Sequence, residues 1–178
     1  MNSFELSLLD KIGEIFSCKF LDTVMPIITK LGDGGIFWIA LSVILICFKR
    51  TRKIGITMGF SLLIGYIIGN VFLKNIVART RPYDVNSAVS VLIPKLKSFS
   101  FPSGHTLASF EGATSVFLHN KKYGIPAIIL AVIIAFSRLY LYVHYPTDVL
   151  AGMVLGIAVS LLAKFIVDKI YLKRNKTV

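Results

Sequence analysis

The chain has 178 residues, of which 55% are hydrophobic, and its mean hydropathy is +0.75. That apolar share exceeds what a soluble domain carries, so the sequence reads as an integral membrane protein forming one domain over 1–178. A net charge of +11 raises nucleic-acid binding as an alternative, but most of the excess lies at the ends of apolar segments, where it attracts anionic lipid and fixes topology, so no nucleic-acid partner is expected.

At the N-terminus, Phe4, Leu8, Leu9, Ile12 and Ile15 alternate with Glu5, Asp10, Lys11 and Glu14. This periodicity predicts an amphipathic helix over 1–17 lying in the membrane interface. A cleaved signal peptide is not expected, because Glu5 and Asp10 interrupt the start and no small-residue cleavage motif follows. In segment 19–31, Pro26 and Lys30 interrupt the apolar pattern and Asp33, Gly34 and Gly35 follow it, which predicts a partly buried sixth helix or a half-span packed on the bundle. Spans are expected over 34–48, 54–73, 104–118, 123–140 and 147–170. Several are short of the roughly 20 residues a bilayer requires and must borrow flanking polar residues or thin the membrane locally. The expected fold is all-α: a bundle of five to six transmembrane helices with an interfacial helix at its start. Cys18 and Cys47 match no redox or metal spacing and are read as packing residues.

Basic residues set the orientation. Lys49, Arg50, Arg52 and Lys53, then Lys121 and Lys122, then Lys173, Arg174 and Lys176 fall on one side, which should be cytoplasmic. Three polar islands fall on the other side: KNIVARTRP from Lys74 to Pro82, PSGH from Pro102 to His105, and SRLYLYVHYPTD from Ser137 to Asp148. Their positive charges violate the topological trend, as charges that bind something would. The 83–101 connection carries Tyr83, Val91, Leu92, Ile93, Leu96, Phe99 and Phe101, a composition suited to dipping into the interface and admitting an amphiphile.

Within the islands, the mobile ammonium of Lys74 and the planar fork of Arg81 together suit the distributed oxygens of a phosphoryl group. Taken alone, such a cluster is more readily explained by snorkelling or headgroup contact, and Arg79 in particular can be read as reaching headgroups only. Pro102 can start a helix, Ser103 can cap it and Gly104 lets a ligand approach the backbone, making its N–H groups an anion site beside His105. His144 and Asp148 flank Pro146 at a four-residue separation that permits contact. The carboxylate would then fix the imidazole tautomer and leave the other ring nitrogen free to attack. Metal ligation by His105, His144 and Asp148 competes with this reading, but Lys74, Arg81 and Arg138 would repel a divalent cation, so no metal or cofactor is expected.

The three islands match every fixed position of KxxxxxxRP, PSGH and SRxxxxxHxxxD, and the stretch Lys74 to Asp148 thereby resembles the type 2 phosphatidic acid phosphatase (PAP2) family, in its small bacterial membrane branch. The resemblance implies that His144 is the nucleophile of a phosphohistidine intermediate, aided by Asp148, and that His105 protonates the leaving oxygen and later helps activate water. It implies a phosphate cradle of Lys74, Arg81, Ser103, Gly104, Ser137 and Arg138. The implied chemistry is metal-independent hydrolysis of a membrane lipid phosphate. An outward-facing site favours undecaprenyl diphosphate, with phosphatidylglycerophosphate or a broader lipid range as the alternative and phosphotransfer to another lipid as a minor one. A transporter or scaffold is the non-enzymatic alternative, but would not need paired histidines with an anion cradle.

Asp148, Gly152 and Gly156 share one helix face, and Gly55/Gly59 and Gly65/Gly69 form similar pairs, so close helix–helix contacts are expected there. Glu111 fits least well: it lies six residues beyond His105 in an apolar segment and is read as a structural carboxyl or as lining the substrate path, outside the catalytic set.

Overall fold

The computed structural model describes residues 3–176, and every regular element in them is helical. Helix α1 (Ser3–Phe16) and helix α2 (Lys19–Thr29) precede a tight turn at Lys30–Gly35, after which come α3 (Ile36–Cys47) and α4 (Arg52–Gly65). α4 runs on through a widened π-type stretch (Tyr66–Leu73) into α5 (Lys74–Val77), so this helix outlasts its expected end at 73. It stops where Ala78 adopts a left-handed φ of 45°. A short α6 (Pro82–Val85) leads into the long connection, followed by α7 (Gly104–Phe117), α8 (Lys121–Tyr140) and α9 (Pro146–Lys176).

Among the described residues, four stretches are long and apolar enough to cross a membrane: Lys19–Cys47, Arg52–Val85, Lys121–Tyr140 and Pro146–Lys173. The count is lower than the five to six expected, for two physical reasons. Segments 19–31 and 34–48 follow each other through the turn at Lys30–Gly35, and α7 has only 14 residues. The chain is nevertheless a multi-pass membrane bundle, since large apolar side chains such as Ile39, Val43, Leu63, Ile129, Val154 and Phe165 face outward along its helices.

α7 is the central helix and packs on α8, α9, α4, α3 and the Lys30–Gly35 turn. Ten of its residues from Thr106 to Val116 are buried, and many are small or hydroxylic, which allows close backbone approach on every side. A Cβ added at Gly152 would come 2.7 Å from the Ser103 carbonyl oxygen, and one at Gly156 2.8 Å from that of Leu107. α9 therefore lies directly on α7, as the glycine spacing predicts. Gly55 makes the same kind of contact between α4 and α3, at Ser42, while Gly65 and Gly69 face Glu111 and Leu107 of α7.

Helix α2 runs through Pro26 to Thr29, within the helix expected over 19–31. Two sequence readings are revised. Cys18 and Cys47 are both exposed, so they do not serve as interior packing. The 83–101 connection folds back on the protein: the Tyr83 hydroxyl pairs with the Leu96 backbone, and Val89, Val91, Ile93 and Leu96 pack on a cluster containing Leu9, Met25 and Tyr140 to Tyr145. Its apolar residues thus cap one end of the bundle, with Leu92 and Phe99 left exposed.

Candidate active site

The three polar islands converge at that capped end. α8 ends at Tyr140, the chain turns through Tyr142 (φ 58°), and Pro146 opens α9. Asp148 lies in the first turn of α9, where its Oδ2 accepts the Tyr145 N–H (2.9 Å) and satisfies one of the donors a helix start leaves free. The same oxygen lies 3.5 Å from His144 Nδ1 and accepts a 2.5 Å hydrogen bond from Ser100 Oγ. The expected histidine–carboxylate contact is present, and Ser100, absent from the sequence reading, braces it.

His144 is 2% exposed and Asp148 is fully buried. Burial holds the His144 pKa well below its ordinary 6.5; the hydrogen bond to Asp148 opposes that shift, while the charges of Arg138 and Arg81 reinforce it. Burial therefore favours the neutral imidazole, the form able to attack. Its Nε2 lies on the side away from Asp148, 3.3 Å from Arg81 Nη1.

Arg81 is held by backbone carbonyls: Nε donates to Ser98 O (2.8 Å), Nη1 to Val143 O (2.8 Å) and Nη2 to Phe99 O (3.1 Å). Lys74 Nζ donates to the carbonyls of Phe99 (3.3 Å) and Pro102 (3.2 Å). Both cations are thereby desolvated and fixed in direction, the condition under which charge is most effective. Ser103 caps α7 as expected, with its Oγ accepting from Thr106 N (3.5 Å) and Oγ1 (3.0 Å). Gly104 opens the helix, and a Cβ there would meet Asn70 Oδ1 at 3.0 Å.

Arg138 is 1% exposed and donates through Nη1 to Thr29, and its Nε and Nη2 have no acceptor among the described residues. Ser137 turns back to the Ile134 carbonyl (2.6 Å) within its own helix. His105 Nε2 lies 2.8 Å from Asp33 Oδ1, in the turn that the sequence reading treated only as a helix breaker.

A cavity of about 820 Å³ is lined by Lys74, Arg81, Gly104, His105 and His144. Ser103, Ser137, Arg138 and Asp148 are buried and are not among its lining residues. The cavity continues between α3, α4 and α7 past Asn70, Tyr66 and Glu111 to the apolar side chains Ile39, Val43, Leu62 and Leu63. Glu111 is 1% exposed, and its Oε1 has no hydrogen-bond partner among the described residues. No three His, Cys, Asp or Glu side chains among the described residues are grouped so as to hold a metal ion.

Arg79 does not reach headgroups. Its side chain is 8% exposed, with Nη1 donating to Asp148 Oδ1 (2.6 Å) and Nη2 to Glu5 Oε2 (2.5 Å). Glu5, which the helical pattern places on the polar face of α1, is buried, whereas Phe4 and Ile15 are exposed. No spacing rule could have paired two residues 74 positions apart.

Comparison with known proteins agrees with the geometry. The model of the PAP2 superfamily matches residues 54–171. The chain is 40% identical over 144 residues to an undecaprenyl-diphosphatase of Sulfolobus acidocaldarius, covering 80% of this chain and 69% of that protein. Among solved structures, Aquifex aeolicus LpxE superposes with a TM-score of 0.80 at 25% identity, covering 91% of this chain and 95% of that one. A PAP2-type phosphatidylglycerolphosphate phosphatase from Bacillus subtilis gives a TM-score of 0.76 at 28% identity, with coverage of 94% and 86%. Motifs, site and fold agree, and the chain belongs to the PAP2 superfamily as one of its membrane lipid phosphatases and diphosphatases.

Proposed function

We propose that the protein hydrolyses the terminal phosphate of undecaprenyl diphosphate, giving undecaprenyl phosphate and inorganic phosphate, without a metal ion. His144 Nε2 attacks the terminal phosphorus, the bond from that phosphorus to the bridging oxygen breaks, and undecaprenyl phosphate leaves with a proton from His105. Asp148 accepts a hydrogen bond from Nδ1–H throughout and stabilises the positive imidazole ring of the phosphohistidine. Water then attacks the phosphohistidine, His105 takes its proton, and phosphate departs. Lys74, Arg81, the helix start at Ser103 and Gly104, and the two unengaged donors of Arg138 hold the transferring oxygens. Ser137 supports this cradle through the α8 backbone.

The observation that carries this reading is the position of His144 at the wall of a cationic pocket that opens into an apolar groove. A soluble phosphate ester has no need of such a groove, whereas a lipid chain can lie along Ile39, Val43 and Leu63. The 40%-identical relative supports the diphosphate among lipid substrates. We further propose a single domain with five crossings, made by α3, α4 with its continuation, α7, α8 and α9. α1 then lies in the interface, and the site faces the outer side, opposite the basic loops at 49–53 and 121–122. α2 rests at that same end, its Asp22 accepting from the Tyr140 hydroxyl and its Thr29 from Arg138.

A second reading, phosphatidylglycerophosphate hydrolysis, is favoured by the B. subtilis structure, which covers 94% of the chain. Phosphate release in lipid, compared for undecaprenyl diphosphate, phosphatidylglycerophosphate and phosphatidic acid with and without chelator, separates the two. The diphosphate should be fastest and the chelator without effect. Rapid phosphatidylglycerophosphate hydrolysis beside negligible diphosphate hydrolysis would overturn the substrate, and dependence on added divalent metal would overturn the mechanism.

A further inference from the structure

We propose that Glu5 and Arg79 are positioning residues for the His144–Asp148 pair, making the N-terminal helix a working part of the active site; this rests on the roles given to His144 and Asp148 above. Both oxygens of the buried Asp148 carboxylate are committed. Oδ2 faces Ser100, Tyr145 N–H and His144, while Oδ1 accepts from Arg79 Nη1 at 2.6 Å. Arg79 therefore decides how the carboxylate plane is presented to the imidazole.

An arginine in that position has a cost of its own, because its positive charge on Oδ1 draws the carboxylate away from its task of stabilising a cationic imidazole ring. Glu5 supplies the compensation. Its Oε2 takes Arg79 Nη2 at 2.5 Å, and its Oε1 accepts from Thr147 N (3.0 Å) and Thr147 Oγ1 (2.6 Å). Thr147 Oγ1 also accepts from Arg79 Nη1 at 2.7 Å, closing a ring between α1, the second residue after α5 and the start of α9. Among the described residues, the carboxylate of Glu5 thus offsets the guanidinium charge that Arg79 brings to Asp148. The guanidinium also lies 3.8 Å from the Tyr145 ring centroid, a contact that fixes its plane.

Attachment of α1 does not depend on Glu5 alone. Leu9 is 1% exposed in the cluster of Tyr140 to Tyr145, and Asp10 accepts from the Tyr142 hydroxyl at 2.8 Å. Glu5 lies outside residues 54–171, which the family model matches.

The test is a double-mutant cycle of Glu5→Gln and Asp148→Asn, read by kcat, KM and single-turnover phosphoenzyme formation in lipid, with Asp10→Asn as a control for α1 docking. Glu5→Gln should lower kcat and phosphoenzyme formation about tenfold with KM unchanged, Glu5→Asp should recover most of the loss, and Asp10→Asn should leave kcat unchanged. In the Asp148→Asn background, Glu5→Gln should have no further effect, which a purely structural residue would not satisfy. Parent kcat for Glu5→Gln, or full additivity in the cycle, overturns the inference. If Glu5→Gln does not fold, Arg79→Lys decides: a lysine lacks the planar fork whose two nitrogens separately reach Asp148 and Glu5, so a tenfold loss in kcat is expected and parent kcat overturns the proposal. Full activity of Asp148→Asn itself would instead refute the underlying mechanism.

Discussion

Replacing Asp148 with asparagine tests the core of the mechanism with almost no change in shape. The carboxylate is fully buried, lies 3.5 Å from His144 Nδ1 and is tied down by Ser100, Arg79 and the Tyr145 N–H. The amide removes the charge that stabilises the cationic imidazole ring, and its NH2 group can donate to Nδ1, which moves the ring proton to Nε2 and blocks attack. Tautomer and charge together should lower kcat about 10³- to 10⁴-fold, equivalent to about 4–5.5 kcal/mol of transition-state stabilisation. KM should change little, since the phosphate cradle proposed at Lys74, Arg81 and Arg138 is left intact. Stability should fall by less than the roughly 3–5 kcal/mol of a broken buried pair, because Arg79 keeps its bond to Glu5. The assay is phosphate release from lipid substrate, with melting in detergent as the check on folding. A folded variant whose kcat stays within threefold of the parent would refute the dyad.

Other outcomes follow from the same geometry. His144→Ala should abolish phosphoenzyme labelling while the protein stays folded, and unchanged phosphate release would remove it as nucleophile. Because burial, reinforced by Arg138 and Arg81, holds the His144 pKa below 6.5, phosphoenzyme formation should persist at pH values where an ordinary histidine is protonated. Arg81→Gln removes a positive charge, raises that pKa and should move the acidic limb of the pH–rate profile upward; a limb that stays in place argues against the assignment. Burial works against ionising Glu5, but its hydrogen bonds from Thr147 and Arg79 prevail and put its pKa below 4.5. Its contribution to stability is therefore complete above that value and is lost as pH falls through the lower folded value, and the acid melting curve of Glu5→Gln should lack that component. At Gly32 an added Cβ would sit 2.6 Å from His105 Cδ2, so Gly32→Ala should displace the ring and lower kcat with a modest loss of stability, about 1–3 kcal/mol, checked by kcat and melting.

The sequence alone pointed to a helical membrane bundle and to the lipid phosphatase family. Apolar composition required membrane helices, the motif spacings selected Lys74, Arg81, His105, His144 and Asp148, and glycines at four-residue intervals marked where α9 lies on α7. Each of these signals is local: it depends on helical periodicity or on a turn a few residues long. Tertiary structure decided the rest. It turned Glu5 from an interfacial charge into a buried partner of Arg79, brought Asp33 across 72 positions to His105, placed Ser100 on Asp148, and folded the apolar 83–101 connection onto the protein. The physical reason is that a buried charge must find a partner wherever the fold offers one, and the distance along the chain to that partner leaves no periodicity to read.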